Sequence, residues 1–280
     1  MPAIVVVGSV NLDLVATVDR LPVAGETVTN ADLSRFPGGK GANQALAAQR
    51  LGADVTLLAC VGNDAAADEA LALLREGGVN LADCVSAENV PTGTALIAVA
   101  ASGENQIVVA PGANRQLTPE RLQLPVADAL ICQLEVPTDT VAKAAEEFAG
   151  FFCVNLAPAM HVDVAVLQRA DLVVVNESES AWYGDSLSAC SGMIATTFGA
   201  AGAVLSKDGQ DLARTKPPRI DAVDTTAAGD TFTAALTVAL VEGQNAEDAL
   251  QFACAAGAVA ATKLGAQPSL PTREEIVALL

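Results

Sequence analysis

Short, unbroken apolar runs, each closed by a turn or polar residue, recur along this chain. They are AIVVVGSV from residue 3, VTLLACVG from 55, ALICQLEV from 129, FFCVNLAP from 151, DLVVVNES from 171 and GAVLSKDG from 202. A strand buried on both faces has this continuous pattern, because neither side meets water. Between the runs lie NQALAAQRLG, DEALALLREGG, TVAKAAEEFAG, FTAALTVALVEG, ALQFACAAGAVAATKLG and REEIVALL. Their apolar residues fall at helical spacing, and several end at glycine, the usual helix stop. Strand–helix alternation predicts a mostly parallel central sheet between two helical layers, an α/β/α sandwich, formed as a single domain over 1–280.

Two segments depart from that rhythm. Residues 12–37 alternate apolar and polar positions around the turn-forming Pro-Val-Ala-Gly, and residues 91–112 predict a hairpin turning at ASGEN. Together they are expected to form a small antiparallel sheet outside the main layer. Ligands in open α/β sheets bind beyond the carboxyl ends of the strands, so this small sheet is a candidate lid.

Composition narrows the class. The chain has 280 residues, 51% of them hydrophobic, enough for a full core. No apolar run reaches the roughly 18 residues of a membrane span. The opening MPAIVVVGSV has no basic region or cleavage site, and is expected to be a first buried strand, not a signal peptide. The six cysteines (Cys60, Cys84, Cys132, Cys153, Cys190, Cys254) are scattered and mostly apolar in context, as in a reduced, cytoplasmic protein. His161, the only histidine, has no suggested Ser or Cys partner for a triad. A formal net charge of −18 makes nucleic acid and anionic membranes poor partners. Attraction for a phosphate compound would have to be local: helix N-termini, a few lysines and a metal ion.

Four constellations carry candidate chemistry. In DAVDTTAAGDTFTAAL, Asp230 precedes an apolar helix pattern and is expected to cap it. The small residues Ala227, Ala228 and Gly229 would also let an anion approach the backbone N–H groups there, beside a carboxylate able to meet a hydroxyl. GGKGANQA, residues 38–45, has neither phosphate-loop nor dinucleotide spacing. It is either a Gly-rich turn before a helix or a close approach for a polyol, with Asn43 hydrogen bonding and Lys40 supplying a point charge. Asn11 and Asp13 of GSVNLDL share one face after the first strand; an Asx turn is the plain alternative. Asn176 and Glu179 of VVVNESES have capping-box spacing, and equally suit a Mg²⁺ site that keeps its waters.

Their order along the chain is more specific than any one of them. GSVNLD, GGKGANQ, QLEVP, NLAPA, NESE, TTFGAAG, AVDTTAAGDTF and LGAQPSLP, in that sequence from about residue 4 to the C-terminus, resemble the ribokinase branch of the PfkB sugar-kinase family. The resemblance implies an ATP- and Mg²⁺-dependent kinase moving the γ-phosphate to the O5 primary hydroxyl of D-ribose. In its terms Asp230 is the catalytic base, and Ala227, Ala228 and Gly229 form an anion hole. Asn11, Asp13, Gly39, Lys40, Asn43 and Glu135 are sugar contacts. Asn176, Thr197, Gly199 and Gly229 serve the nucleotide, and Asn176 with Glu179 organises Mg²⁺ through water. A monovalent cation, usually K⁺, would activate the enzyme from Asp224, Thr226, Ala260, Lys263, Gly265 and Ser269, mostly through carbonyls. The lid would double as the contact of a homodimer. One departure stands out: residues 181–196, AWYGDSLSACSGMIAT, are short where family members carry a longer helical segment. That predicts thinner cover for the sheet edge nearby.

Other functions are weaker. A kinase for another sugar or a nucleoside (deoxyribose, fructose, adenosine) fits the same motifs, although 3% aromatic residues leave few rings for a base to stack on. A non-catalytic sugar or nucleotide sensor predicts loss of the base or anion hole, and both Asp230 and Gly229 are present. A dinucleotide-dependent oxidoreductase lacks its glycine fingerprint.

Overall fold

Residues Ala3–Val7 lie at the centre of the molecule. Ile4 and Val6 enter one hydrophobic core and Val5 and Val7 the other, as a strand covered on both faces requires. The computed structural model describes residues 1–102 and 104–280; Gly103, inside the expected ASGEN turn, lies outside the described residues. In chain order the elements are β1 (Ala3–Val7), β2 (Asn11–Val18), β3 (Asp32–Gly38), α1 (Lys40–Arg50), β4 (Asp54–Gly62), α2 (Ala65–Ala70), α3 (Ala72–Glu76), β5 (Cys84–Ala87), β6 (Gly93–Ala100) and β7 (Asn105–Ala110). There follow β8 (Ala129–Gln133), α4 (Thr138–Glu147), β9 (Phe151–Asn155), α5 (Val164–Arg169), β10 (Leu172–Asn176), α6 (Glu177–Tyr183), β11 (Met193–Thr197), β12 (Ala203–Lys207), β13 (Gln210–Thr215), α7 (Ala228–Val241), α8 (Ala246–Ala260), α9 (Ala266–Ser269) and α10 (Arg273–Val277).

The main sheet has nine strands in the order β13-β12-β11-β10-β9-β8-β1-β4-β5. It is parallel from β5 to β11, and β12 pairs antiparallel with both β11 and the edge strand β13. Helices α1, α7 and α8 pack on one face, where Leu46, Leu236 and Leu250 share a core with Ile4 and Leu57. Helices α4 and α5 pack on the other, where Val141 and Leu167 meet Val5 and Phe152. This is the α/β/α sandwich expected from the alternating pattern. No helix among the described residues is long and apolar enough to cross a membrane.

The second sheet, β3-β2-β6-β7, is built from the two expected segments. It is mixed, not antiparallel as expected: β2 and β6 run parallel, while β2–β3 and β6–β7 are antiparallel. Both β2 and β6 follow main-sheet strands, β1 and β5, that point the same way, so the chain enters the lid from the same end each time.

Other details also differ. DEALALLREGG is not one helix; it breaks at Leu71 into α2 and α3. Strands β5, β11 and β13 and helices α5, α6 and α9 are not among the expected elements. In β11 only Ala195 is fully buried, whereas β10 is buried from Leu172 to Val175. Strand β11 forms the end of the short segment 181–196.

Candidate active site

From β1 the strands run outward one way through β4 to β5, and from β8 the other way through β9, β10 and β11. A parallel sheet opens a crevice beyond its strand ends at such a reversal, because adjacent connections leave on opposite faces. The functional side chains gather there.

Helix α1 starts directly after β3, and the junction needs two glycines. Gly39 has φ 92°, a conformation L side chains avoid, and a Cβ on Gly38 would stand 2.2 Å from Asp13 Oδ2. Tight passage at this point brings the first turn of α1 against the N-terminus of α7. Asn43 Nδ2 donates to Asp230 Oδ2 at 2.8 Å, and Gln44 Nε2 donates to Asp230 Oδ1 at 2.9 Å. Asp230 is thus not the helix cap expected from its position. Helix α7 begins at Ala228 with Ala227 in the cap position, so Asp230 is its third residue, in the first turn, buried, with its carboxylate aimed across at α1. A Cβ on Gly229 would meet no atom within 4 Å, so the backbone at the helix start is approachable. Exposed amide hydrogens and the positive end of a 14-residue helix favour an anion at that place.

The sugar-side candidates converge on the same carboxylate. Asn11 and Asp13 begin β2 and face one way. Asn11 Oδ1 accepts from Asn114 Nδ2 at 2.7 Å, and Asn114 Oδ1 accepts from Val10 N–H at 2.9 Å, which fixes the Asn11 amide. Glu135, beyond β8, accepts from Ser9 Oγ at 2.5 Å and from Lys40 N–H at 3.0 Å. Four carboxylates around one lysine shape the titration. Burial, then repulsion from Glu135 and Asp230, push Asp13 up to about 7, against the pull of Lys40. Burial raises Asp230 as well, opposed by Lys40 and by the Asn43 and Gln44 donors. Burial works against the Lys40 ammonium, but Asp230, Glu135, Glu179 and Asp13 outweigh it and hold its pKa above the ordinary range.

On the other side of Asp230 a cleft of about 80 Å³ is lined by Lys40, Asn155, Asn176, Glu179, Thr197 and Gly229 with their neighbours. Asn176 and Glu179 form the full capping box: Glu179 N–H donates to Asn176 Oδ1, and Asn176 N–H to Glu179 Oε2, both at 2.8 Å. Burial raises the Glu179 pKa, the Asn176 backbone bond and Lys40 opposing it. The capping and functional readings hold together, since the box orients Glu179 at the cleft wall. Gly199, φ 54°, lies in the turn after β11 and does not line the cleft. A larger cavity, about 270 Å³, lies by Gly62, Asp64 and Arg75 and shares no residue with this one.

The expected cation loops meet. Asp224 Oδ1 accepts from the Thr226 N–H at 2.9 Å and from its hydroxyl, and Oδ2 accepts from Gly265 N–H at 2.9 Å. Val223 and Asp224 N–H groups donate to Ala261 O, tying the segment before α7 to the end of α8. Lys263 Nζ turns outward to Glu275 at 2.6 Å, which leaves its carbonyl as the group available to an ion. Ser269 Oγ donates to Ala266 O at 2.7 Å. A hard cation wants such oxygen donors, so the residue set fits a monovalent ion. No group of three or more His, Cys, Asp or Glu placed to hold a metal ion occurs among the described residues, so a Mg²⁺ at Glu179 would keep most of its water.

Four residues of this site were missed from the sequence: Ser9, Gln44, Asn114 and Asn155. Gln44 sits inside GGKGANQA and Asn155 inside NLAPA, both quoted above for neighbouring residues.

The model of the pfkB family carbohydrate kinases matches residues 1–273. The chain belongs to this family. Ribokinase of Bacillus subtilis is 36% identical over 294 residues, covering 100% of both chains. Ribokinase of Haemophilus influenzae is 35% identical, covering 98% of this chain and 97% of that protein. Among solved structures, Thermotoga maritima ribokinase superposes with a TM-score of 0.91 at 33% identity, over 100% of this chain and 99% of its own. Arabidopsis thaliana ribokinase complexed with ribose and ATP gives 0.88 at 30% identity, over 99% and 98%. As a pfkB carbohydrate kinase the protein is a phosphotransferase acting on a sugar hydroxyl.

Proposed function

We propose that this protein is an ATP-dependent ribokinase, converting D-ribose and ATP to D-ribose 5-phosphate and ADP. The observation that carries the reading is Asp230. It is a buried carboxylate gripped by two amides at an approachable helix N-terminus, between a polyol-type cluster and the cleft of Asn176, Glu179 and Thr197. That arrangement stands in a chain similar over its full length to ribokinases, one of them complexed with ribose and ATP.

In this mechanism Asn11, Asp13, Lys40, Asn43 and Glu135 hold the sugar hydroxyls, with Gly39 giving close approach. Asp230 accepts the O5 proton as O5 attacks the γ-phosphorus; the new O5–P bond forms while the bond to the β-phosphate oxygen breaks and ADP leaves. Charge on the transferring group faces the N–H groups of Ala227, Ala228 and Gly229, and Thr197 and Gly199 border the nucleotide. Protonation late in the reaction asks little basicity of Asp230. When bound, Mg²⁺ near Asn176 and Glu179 would neutralise phosphate charge, and K⁺ held by Asp224, Thr226 and the carbonyls of Ala260, Lys263, Gly265 and Ser269 would steady the anion hole.

One domain over 1–280, with a lid of residues 12–37 and 91–112, completes the picture. Exposed Ile107, Val108 and Val109 on β7 support a homodimer through that lid. Six unpaired cysteines fit a reducing, cytoplasmic setting.

The test is ADP release with ribose, deoxyribose, fructose and adenosine at fixed ATP, with and without K⁺. The reading requires ribose to give the highest kcat/KM. Preferred turnover of fructose or adenosine would make this a different kinase of the family, and ribose turned over no better than fructose would end the ribokinase assignment.

A further inference from the structure

Behind Asp230, three amide side chains continue into the protein. Gln44 Nε2 donates to Asp230 Oδ1 at 2.9 Å and to Asn155 Oδ1 at 3.1 Å. Gln44 Oε1 accepts from Gln133 Nε2 at 2.6 Å, and Asn155 Nδ2 donates to the Val174 carbonyl at 3.1 Å. Gln44 and Gln133 are fully buried and line no part of the cleft.

The chain of bonds permits one orientation. An amide has a donating and an accepting end, and turning it over exchanges them. The Val174 carbonyl can only accept, so Asn155 presents its Nδ2 there and its oxygen to Gln44. The Asp230 carboxylate, when ionised, also only accepts. Both neighbours therefore demand the NH₂ end of Gln44, and its oxygen is left to Gln133, which must donate. A turned Gln44 would set oxygen against two acceptors in a place water does not reach, which is costly.

The two amides on Asp230 are not equivalent. Asn43 is a proposed sugar contact and its Oδ1 is buried without a protein partner, so its bond to Asp230 Oδ2 competes with substrate. Gln44 has no such competitor. We infer that Gln44, locked by Gln133 and Asn155, is the positioning residue that fixes the Asp230 carboxylate for proton transfer.

The inference rests on the kinase reading and has a consequence that simple packing lacks. The charged groups around Asp230 are Lys40, Glu135, Asp13 and Glu179. Of these only Lys40 favours its ionised form, so loss of the Gln44 donor makes the base harder to ionise. The measurement compares wild type and Gln44→Leu by kcat, by KM for ribose and ATP, and by the acid limb of the kcat profile. In parallel the Asp230 carboxyl is titrated by carbon NMR, its signal assigned by its loss in Asp230→Asn. Expected are a fall in kcat of about 10- to 100-fold, KM values within about twofold, and both the acid limb and the NMR titration displaced to higher pH. Should Gln44→Leu fail to fold, Gln133→Leu unlocks Gln44 from one step further back and gives the same pattern with a smaller fall. Unchanged kcat overturns the inference. So does a fall in kcat accompanied by an unmoved Asp230 titration, which would mark Gln44 as packing alone. The NMR arm is read whether or not ribose is the acceptor, so failure of the ribokinase assignment is seen separately, in wild-type turnover.

Discussion

Replacing Asp13 by Asn should make the unliganded protein more stable while impairing its use of the sugar. The carboxylate is 7% exposed and accepts no hydrogen bond from another described residue. Burial and the neighbouring Glu135 and Asp230 raise its pKa from 3.8 to about 7. A carboxyl whose folded pKa lies above its unfolded value binds its proton more tightly when folded. It carries no penalty below the unfolded pKa, and stability is lost as pH rises from about 4 to about 7, after which the loss is constant. At about 1.4 kcal/mol per unit, three units come to about 4 kcal/mol. The pull of Lys40 is already inside that shift, and solvent screening at a site that is not fully enclosed brings the net to about 2–4 kcal/mol above pH 7.5. Unfolding entropy for a chain of this size turns that into a rise in Tm of roughly 3–7 °C for Asp13→Asn at pH 8. The advantage should shrink by more than half at pH 5, where wild-type Asp13 is protonated in the fold. Calorimetric or circular-dichroism melts of both proteins at the two pH values measure it, with KM for ribose expected to rise at least tenfold in the variant. A variant that melts at or below wild type at pH 8, or whose advantage is the same at pH 5, refutes the claim that the site stores this energy for the substrate.

Asp230→Asn should reduce kcat by at least about 10³-fold while ATP still binds, since an amide keeps the shape but cannot take the proton; nucleotide titration alongside the turnover assay separates the two. Gly229→Ala should leave Tm within about 2 °C, because the added methyl meets nothing within 4 Å, yet lower kcat by filling the approach to the helix N-terminus. Asn114→Ala strips Asn11 Oδ1 and Val10 N–H of their partner, with an expected loss of about 2–4 kcal/mol in urea unfolding and a raised sugar KM. Four carboxylates (Asp13, Glu135, Glu179 and Asp230) face a single Lys40, so free ATP should bind at least tenfold more weakly in EDTA than with Mg²⁺. Fluorescence of Trp182, the only tryptophan and three residues beyond Glu179 on α6, offers a readout.

The layers of the fold were legible because burial on two faces leaves a local mark. VVV in β1 or LICQ in β8 needs no knowledge of what packs against it to declare a doubly covered strand. Strands at the margin leave none. MIATT, at the end of the short segment 181–196, is half-buried, and QDLART at the outer edge has one buried residue, so β11 and β13 lack the continuous apolar signal. The lid strands alternate clearly enough to be placed, but alternation is the same for either direction of pairing. The parallel match of β2 with β6 follows from where the chain re-enters, a fact of the main sheet's topology.

The site divides along the same line. Asp13, Lys40, Asn43 and Asp230 could be proposed because each stands in a stretch whose local pattern of small, turn-forming and polar residues is itself unusual. Gln44 could not, since its position in α1 is that of an ordinary buried helix residue, and what distinguishes it is Asp230, 186 residues away. Asn114 is likewise 103 residues from Asn11. The misplaced cap has the same origin. Locally, an Asp before an apolar helix satisfies the free N–H groups at once, and capping is the favoured outcome. Here the donors of Asn43 and Gln44 take both carboxylate oxygens, so the helix can begin three residues earlier, at Ala228, with no side chain on its first amides. Those uncapped amides are what an anion needs. The same pair of long-range hydrogen bonds that draws Asp230 away from capping therefore leaves the helix N-terminus free for phosphate.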